Sequence, residues 1–250
     1  MGFHRPLITA AGLLLLWQLL VWASGAPPYI LPGPAAVARA LVERSDLLFL
    51  HALTTAAEIL LGMLIGSLVG AASAVLLAAF APARRWLMPI LVVSQALPVF
   101  ALAPLLVLWL GYGMASKIAM AVLIIYFPVT AAFFDGLRRT DPGWLELARV
   151  MNARPLAVLW RIRLPAALPA LGSGLRVAAS VAPIGAVVGE WVGSSAGLGY
   201  LMLHANARMQ VDLVFAALFL LALMALALYF AVDRTARRLV PWQRETLTET

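Results

Sequence analysis

Long runs of apolar residues recur along the chain and limit the folds it can adopt. Hydrophobic residues make up 64% of the sequence and charged residues only 12%, about half the charged share of a soluble protein. Several runs approach or exceed the roughly 20 apolar residues that cross a bilayer as a helix. A water-soluble fold of this size could not bury so much apolar surface. The sequence therefore predicts an all-α, polytopic integral membrane protein.

The apolar runs predict about six transmembrane helices. The predicted spans are Leu7–Ala23, Leu53–Phe80, Trp86–Leu110, Ala115–Phe134, Leu168–Val192 and Leu213–Val232. Prolines end the first helix, and the segment after them has the pattern of an amphipathic surface helix. We therefore divide the chain into an N-terminal helix with an outer amphipathic segment (residues 1–52), a helical core (53–234) containing a basic loop (135–167), and a tail (235–250).

The first apolar run has a second interpretation. Its basic start, its apolar stretch and the small residues near Ala23–Ala26 also fit a cleaved signal peptide. The apolar stretch is somewhat long for such a peptide, so a retained transmembrane helix is the first interpretation. In either case, the chain from residue 27 onward begins on the outer side of the membrane.

Basic residues are distributed unevenly between the two sides of this topology. The outer side would hold only Arg39, Arg44, Lys117 and Arg208, and Arg176 lies within a span; the rest of the 18 lysines and arginines fall on the other side. Because short loops rich in lysine and arginine stay in the cytoplasm, we expect both termini and the basic loop to be cytoplasmic. Positive charge that follows the topology in this way argues against binding to nucleic acid.

The sequence offers no catalytic, metal or nucleotide site. It contains no cysteine and only three scattered histidines. It also lacks a Gly-x4-Gly-Lys-Ser/Thr phosphate loop, and the glycine-rich run at residues 193–199 is interpreted as a turn or re-entrant element. We therefore expect no cofactor or metal, and an energy source in a partner chain. A membrane-embedded enzyme would need converging acids, histidines or a metal near one membrane face, which the sequence does not indicate.

The basic loop predicts two short helices that meet at an elbow (residues 141–165). Asp141 can cap a first helix, and Asn152 can adopt the left-handed conformation that ends it. A second helix is predicted over Pro155–Arg163. Leu164–Pro165 would then turn the chain back toward the membrane.

Spacing within the elbow resembles the EAA loop of the permease subunits of ABC importers. The family pattern is Glu-Ala-Ala, followed at fixed distances by a glycine and by Ile-x-Leu-Pro. The positions that match are Glu146, Ala148, Ile162, Leu164 and Pro165. Leu147 stands in place of an alanine, and Asn152 stands in place of the glycine. The asparagine is tolerable there because it accepts positive φ better than most residues.

Two further segments resemble one group within this family, the permeases for nitrate, sulfonates, taurine and similar compounds. Residues Ser94–Gly113 resemble the third helix of that group, and Gly189–Met202 resemble its periplasmic glycine-rich hairpin. The resemblance implies the type I importer permease (MetI-like) fold in the inner (plasma) membrane. It also implies four kinds of partner: cytoplasmic ABC ATPase subunits, a second copy of this chain in a homodimer, a periplasmic solute-binding protein and membrane lipid.

The resemblance implies a role for the elbow as the element that binds the ATPase. The coupling residues would be Glu146, Leu147, Ala148, Arg149, Asn152, Ile162, Leu164 and Pro165. Glu146 and Arg149 would make the polar contacts of the first elbow helix in a groove of the ATPase. ATP-driven closure would push this lever, and Leu164–Pro165 would pass the movement to the fifth span, which gives alternating access.

Polar groups inside predicted spans are costly and therefore candidates for the solute pathway. The candidates are Gln95, Tyr126, Arg176, Glu190 and Glu58. Gln95 has an interhelical hydrogen bond as its alternative, and Arg176 could extend to lipid headgroups. Glu58 and Glu190 lie near outer span ends, so simple hydration or an interfacial position are their alternatives.

The solute itself has two interpretations. Residues 189–210 resemble permeases assigned to thiamine pyrimidine precursors such as hydroxymethylpyrimidine. Taurine, an aliphatic sulfonate or nitrate is second, because an anion would favour more positive groups along the pathway than Arg176 alone. A stand-alone channel or secondary transporter would work without an ATPase and would leave the elbow pattern unexplained.

Overall fold

The computed structural model describes residues 4–242, apart from the side chains of residues 4–7, 95 and 96. The described chain forms α-helices and one π-helical turn, Leu159–Arg163, which joins α8 to α9. The helices are α1 (His4–Ser24), α2 (Pro34–Glu43), α3 (Ser45–Ala79), α4 (Ala81–Ala96), α5 (Val99–Leu110), α6 (Met114–Arg138), α7 (Pro142–Val150), α8 (Pro155–Val158), α9 (Leu164–Gly193), α10 (Leu198–Ala207) and α11 (Val211–Leu239).

Among the described residues, four stretches are long and apolar enough to cross a membrane as single helices: α3, α6, α11 and the continuous helix Pro155–Gly193. Helices α4 and α5 meet at 103° and together could form a fifth crossing. The apolar part of α1, Ile8–Ser24, is shorter. The all-helical membrane fold is confirmed, whereas the number of six crossings stays approximate.

Helix α6 lies at the centre of the bundle, between α3 and α9. Small residues allow the backbones to approach closely: a Cβ on Gly62 of α3 would lie 2.5 Å from Ala121 Cβ, and a Cβ on Gly185 of α9 would lie 2.8 Å from Ala121 Cα. Because lipid tails are as apolar as leucine, close packing of small residues is a main source of helix association in membranes. The buried side chains of Ile125 and Val129 continue this contact along α6.

The bundle has two ends, which carry separate apolar clusters. At the elbow end, Leu77 of α3, Leu137 of α6 and Leu159 of the π-turn pack together. At the opposite end lies the cap segment (residues 194–208), which contains α10. There α10 packs with α2, α3 and α11, and the amphipathic helix predicted after α1 is confirmed as α2, with Val37 and Ala40 buried. We call this the cap end.

Several predicted boundaries shift in the structure. Helix α3 begins at Ser45 and α11 ends at Leu239, so the predicted divisions after residues 52 and 234 fall inside helices. The third predicted span is not one helix, because it breaks at Leu97–Pro98 between α4 and α5. Proline has no N–H and restricts the residue before it, which explains the position of the break.

The predicted turn at Leu164–Pro165 is wrong. The helix that begins at Pro155 continues to Gly193 without interruption. The π-turn lies directly before Pro165. A π-turn widens the backbone by one residue, which relieves the clash between the proline ring and the carbonyl one turn earlier. Helix α8, the π-turn and α9 therefore form one continuous helix.

Candidate functional site

The elbow has the local structure that its sequence predicts. The Asp141 side chain accepts a hydrogen bond of 2.7 Å from the Gly143 N–H and caps α7. At the other end, Asn152 has a φ of 51°, as expected for a left-handed helix stop. The Ala153 N–H donates to the Ala148 carbonyl at 2.9 Å. This hydrogen-bond pattern closes the helix end and satisfies its last carbonyls.

An apolar groove of about 650 Å³ lies between α7 and the start of the long helix. Four predicted coupling residues line it together: Leu147, Ala148, Ile162 and Pro165. The other lining residues are Trp144, Met151, Ala153, Ala157, Val158, Arg161, Ala166 and Trp242. The tertiary structure thus brings the two halves of the sequence motif to one surface.

Helix α7 exposes charged side chains beside apolar ones. Glu146 and Arg149 are exposed there, and Leu147 is 60% exposed. Val150 and Met151 extend the apolar part of this surface. Exposed apolar side chains grouped with charged ones are typical of a protein-binding surface.

The remaining coupling residues have different surroundings. Leu164 packs against the apolar cluster at the elbow end. Arg149 contributes to a second groove, of about 500 Å³, together with Phe80 and Arg163. The side chain of Asn152 is exposed, so its contribution in the structure is the conformation of the backbone.

A buried charged cluster lies near the cap end. The Lys117 Nζ of α6 is 2.9 Å from Glu58 Oε1 of α3, and Glu190 of α9 lies beside Glu58. Glu58 is 0%, Glu190 1% and Lys117 6% exposed. The expected hydration of Glu58 at the membrane surface is therefore wrong, as is the position of Lys117 in an outer connection. Burial of a charge requires such a partner because its desolvation is expensive.

Glu190 also binds the first turn of α10. Its Oε2 accepts hydrogen bonds from the N–H groups of Gly199 at 2.5 Å and Tyr200 at 3.3 Å. Its Oε1 accepts a hydrogen bond of 2.5 Å from Thr55 Oγ1. A carboxylate is favoured here because the N-terminus of a helix carries unpaired N–H groups and partial positive charge.

Helix α3 supplies the other acceptors for this turn. Thr55 Oγ1 accepts from the Leu198 N–H at 2.8 Å, and His51 Nδ1 accepts from the Gly197 N–H at 2.9 Å. The first turn of α10 is therefore bonded to two core helices at once, by neutral groups of α3 and by a carboxylate of α9.

The glycines of the cap segment have a steric explanation. A Cβ on Gly197 would lie 2.1 Å from Glu190 Cδ, and one on Gly199 would lie 2.8 Å from Glu190 Oε2. Gly197 also has a φ of +115°, which L side chains rarely adopt. The glycine-rich run thus fits around a carboxylate of the same chain, which agrees with its interpretation as a turn element.

A second charged group joins α9 to α11 closer to the elbow end. Arg176 Nε is 2.6 Å from Asp233 Oδ1, and Arg237 Nε is 2.9 Å from Asp233 Oδ2. Arg176 therefore pairs with an acid of a neighbouring helix. It does not approach Glu190, as their separation along one helix required.

Two pathway candidates remain. Tyr126 lines a cavity of about 330 Å³ enclosed by α3, α4, α5 and α6, which Ser73 and Ser94 also line. The side chain of Gln95 lies outside the described part of the structure. The structure therefore separates the five candidates into a buried cluster (Glu58 and Glu190), an ion pair (Arg176) and a cavity wall (Tyr126).

Sequence reasoning missed His51, Thr55, Lys117 and Asp233 as partners. A usable signal existed for two of them, since His51, Thr55 and Glu58 are spaced four and three residues apart and so share one face of an apolar helix. Lys117 and Asp233 lie near helix ends, where charges are common, so their sequence positions gave no such signal.

These features define a class of protein. Apolar helices cross the membrane, an exposed elbow offers a protein-binding surface at one end, and no group of acids, histidines or cysteines in the described residues could hold a metal ion. These features are typical of a membrane protein that works together with a partner chain.

The comparison with known families gives the particular assignment. The profile described as binding-protein-dependent transport system inner membrane component matches residues 58–245, which is most of the chain. The chain belongs to this family of ABC transporter permeases. It is a multi-pass inner-membrane transport subunit and not an enzyme, because ATP hydrolysis in these importers lies in a partner chain.

Curated relatives agree with the family. The chain is 58% identical to a probable ABC transporter permease protein of Haemophilus influenzae, over 94% of this chain and 96% of the relative. It is 35% identical to the formylaminopyrimidine transport permease protein ThiX of Halalkalibacterium halodurans, over 96% of both. It is 30% identical to a putative aliphatic sulfonates transport permease protein of Bacillus subtilis, over 97% of this chain and 88% of the relative.

A solved structure confirms the expected fold. The chain superposes on a chain from inward-facing conformations of the MetNI methionine ABC transporter with a TM-score of 0.69. The match covers 79% of this chain and 98% of the other at 21% identity, so it concerns the fold alone. The resemblance inferred from the elbow and from the glycine-rich hairpin is confirmed at the level of the family.

Proposed function

We propose that this permease imports a neutral heteroaromatic solute, with a thiamine pyrimidine precursor as the best candidate. A periplasmic binding protein delivers the solute at the cap end, and two ATPase subunits bind at the elbow end. Two copies of the chain form the pathway between them, surrounded by membrane lipid. Both termini and the elbow lie in the cytoplasm, and the pathway alternates between its two open states.

The observation that carries the coupling role is the surface of the elbow. Four motif residues line one apolar groove, and Glu146 and Arg149 are exposed on the same helix, α7. The groove joins α7 to the base of the continuous helix Pro155–Gly193. A partner that binds this surface can therefore push on a membrane-spanning helix directly.

The variant Glu146→Arg tests this role. It reverses a charge on the exposed face without disturbing the core, so the chain still inserts. We expect the ATPase no longer to co-purify and uptake of radiolabelled hydroxymethylpyrimidine to fall at least tenfold. The matched control is Glu43→Arg, an exposed glutamate on α2 at the opposite end. Normal co-purification and uptake with Glu146→Arg would refute the coupling role.

The charge pattern supports a neutral solute. Lys117 of α6 and Arg176 of α9 are positive side chains inside the helix bundle, and each is paired with a carboxylate. Paired cations attract an anionic solute weakly, because their charge is already compensated. The relative that transports formylaminopyrimidine is also more similar to this chain than the sulfonate relative quoted above, at 35% against 30% identity.

Uptake into membrane vesicles distinguishes the two solute classes. Vesicles that contain the permease, its ATPase and its binding protein would receive either radiolabelled hydroxymethylpyrimidine or radiolabelled taurine. We expect ATP-dependent accumulation of the pyrimidine and none of taurine. Accumulation of taurine alone would refute the heteroaromatic assignment, while accumulation without the ATPase would refute the importer mechanism.

A further inference from the structure

One continuous helix connects the elbow to the cap segment. It runs from Pro155 to Gly193, and its 39 residues span about 58 Å at the usual α-helical rise. Its first turns form a wall of the elbow groove, and Glu190 in its last turn binds α10. A displacement at one end therefore reaches the other end through a single element.

The first turn of α10 is held by two helices with bonds of unequal strength. Glu190 of α9 provides a carboxylate that accepts from two backbone N–H groups at a helix N-terminus. His51 and Thr55 of α3 provide one neutral acceptor each. Hydrogen bonds to a charged group are roughly twice as strong as neutral ones, and burial strengthens them further.

This difference decides what happens when α9 moves relative to α3. The bonds from both helices cannot all survive a relative shift, since hydrogen bonds weaken steeply outside a narrow range of distance and angle. The weaker bonds from Thr55 and His51 break first. Helix α10 therefore stays with Glu190 and moves with α9.

We propose that Glu190 is a positioning residue that ties the cap segment to α9, so that movement of the elbow opens and closes the cap end of the pathway. This inference rests on the coupling role proposed for the elbow. It assigns to Glu190 a task in transmission, distinct from contact with the solute. Lys117 supports it, because its Nζ lies 2.9 Å from Glu58 Oε1 and compensates the carboxylate that lies beside Glu190.

The absence of cysteine from the sequence allows a direct test of α10 movement. Both reporter positions lie in the cap segment: Leu198 is 0% exposed, whereas Ser195 is exposed. The reporter Leu198→Cys would be treated with a membrane-impermeant maleimide in membranes that contain the whole importer. We expect its labelling rate to change at least fivefold between nucleotide-free and ATP-bound states. Ser195→Cys should label equally fast in both states.

Three substitutions in the reporter background identify the helix that α10 follows. With Glu190→Gln, we expect faster labelling without nucleotide and loss of the response to ATP. With Thr55→Val, which removes the bonds from α3 to the Leu198 N–H and to Glu190 Oε1 but leaves both N–H bonds to Glu190 Oε2, the response should persist. Glu43→Gln, an exposed acid at the same end, should behave as the parent. The opposite pattern, with the response lost in Thr55→Val and kept in Glu190→Gln, would overturn the proposal.

The outcomes also separate this inference from the proposed function. An unchanged labelling rate at Leu198→Cys in an importer that accumulates solute with ATP would overturn the link between elbow and cap, and the importer function would stand. If the ATPase does not bind the elbow at all, the coupling role of the elbow and the inference about Glu190 are both refuted. Adding Glu146→Arg to the reporter should abolish the ATP response while the resting rate stays that of the parent.

Discussion

Replacing Lys117 with methionine tests the buried charged cluster most sharply. Lys117 Nζ lies 2.9 Å from Glu58 Oε1, and neither side chain is more than 8% exposed. Methionine has a similar length and fills the same space without charge. The variant therefore leaves the Glu58 carboxylate buried without its cation, next to the carboxylate of Glu190.

The expected magnitude follows from the burial of this pair. Removal of one partner from a buried ion pair costs about 3–5 kcal/mol. Since 1 kcal/mol shifts the midpoint of a protein of this size by about 2–4 °C, the thermal midpoint should fall by roughly 10 °C. The double variant Glu58→Gln with Lys117→Met replaces the pair by neutral groups, so it should recover at least half of the loss.

Thermal unfolding in detergent, followed by tryptophan fluorescence, measures these midpoints. The control is Arg138→Met, because Arg138 lies 3.2 Å from Asp135 in a pair whose side chains are 61% and 48% exposed. An exposed pair contributes about 0–1 kcal/mol, so this midpoint should hardly move. A Lys117→Met midpoint within about 2 °C of the parent, or a double variant no more stable than the single one, would refute the reasoning.

Two further predictions concern backbone positions. Gly197→Ala places a Cβ 2.1 Å from Glu190 Cδ, so the thermal midpoint should fall by several degrees, whereas Gly12→Ala has nothing within 4 Å and should not lower it. Asn152→Val puts a β-branched residue at a φ of 51°, which costs roughly 1–2 kcal/mol and should weaken ATPase co-purification. Asn152→Gly should leave co-purification intact, and equal behaviour of the two Asn152 variants would contradict the role of the left-handed stop.

The elbow could be predicted because its signals are local. A cap at Asp141 and a helix stop at Asn152 act on neighbouring backbone groups, and both occur where the sequence placed them. The continuation of the helix through Pro165 could not be predicted. It depends on a π-turn, whose extra residue compensates for the proline and leaves no separate signal in the sequence.

The buried polar residues show where sequence reasoning stops. Glu58 and Glu190 were recognised as candidates because charge inside a membrane span is rare. The partners of these two glutamates could not be predicted, because a hydropathy pattern contains no information about which helix faces them. The hydrogen bond from Thr55 to Glu190 joins residues 135 positions apart, and the bond from Arg176 to Asp233 joins residues 57 apart.

The sequence by itself determined that this protein crosses the membrane as helices and carries a capped elbow between two of them. Each of these properties is decided within a single segment of the chain. The first depends on the free energy of transferring apolar residues into lipid, and the second on hydrogen bonding of the backbone groups at helix ends. Only the tertiary structure decided that Glu58 is paired with Lys117 and that Glu190 holds α10. A buried charge is stabilised by whichever partner the packing brings within a few ångströms, and that distance exists only once the helices have assembled.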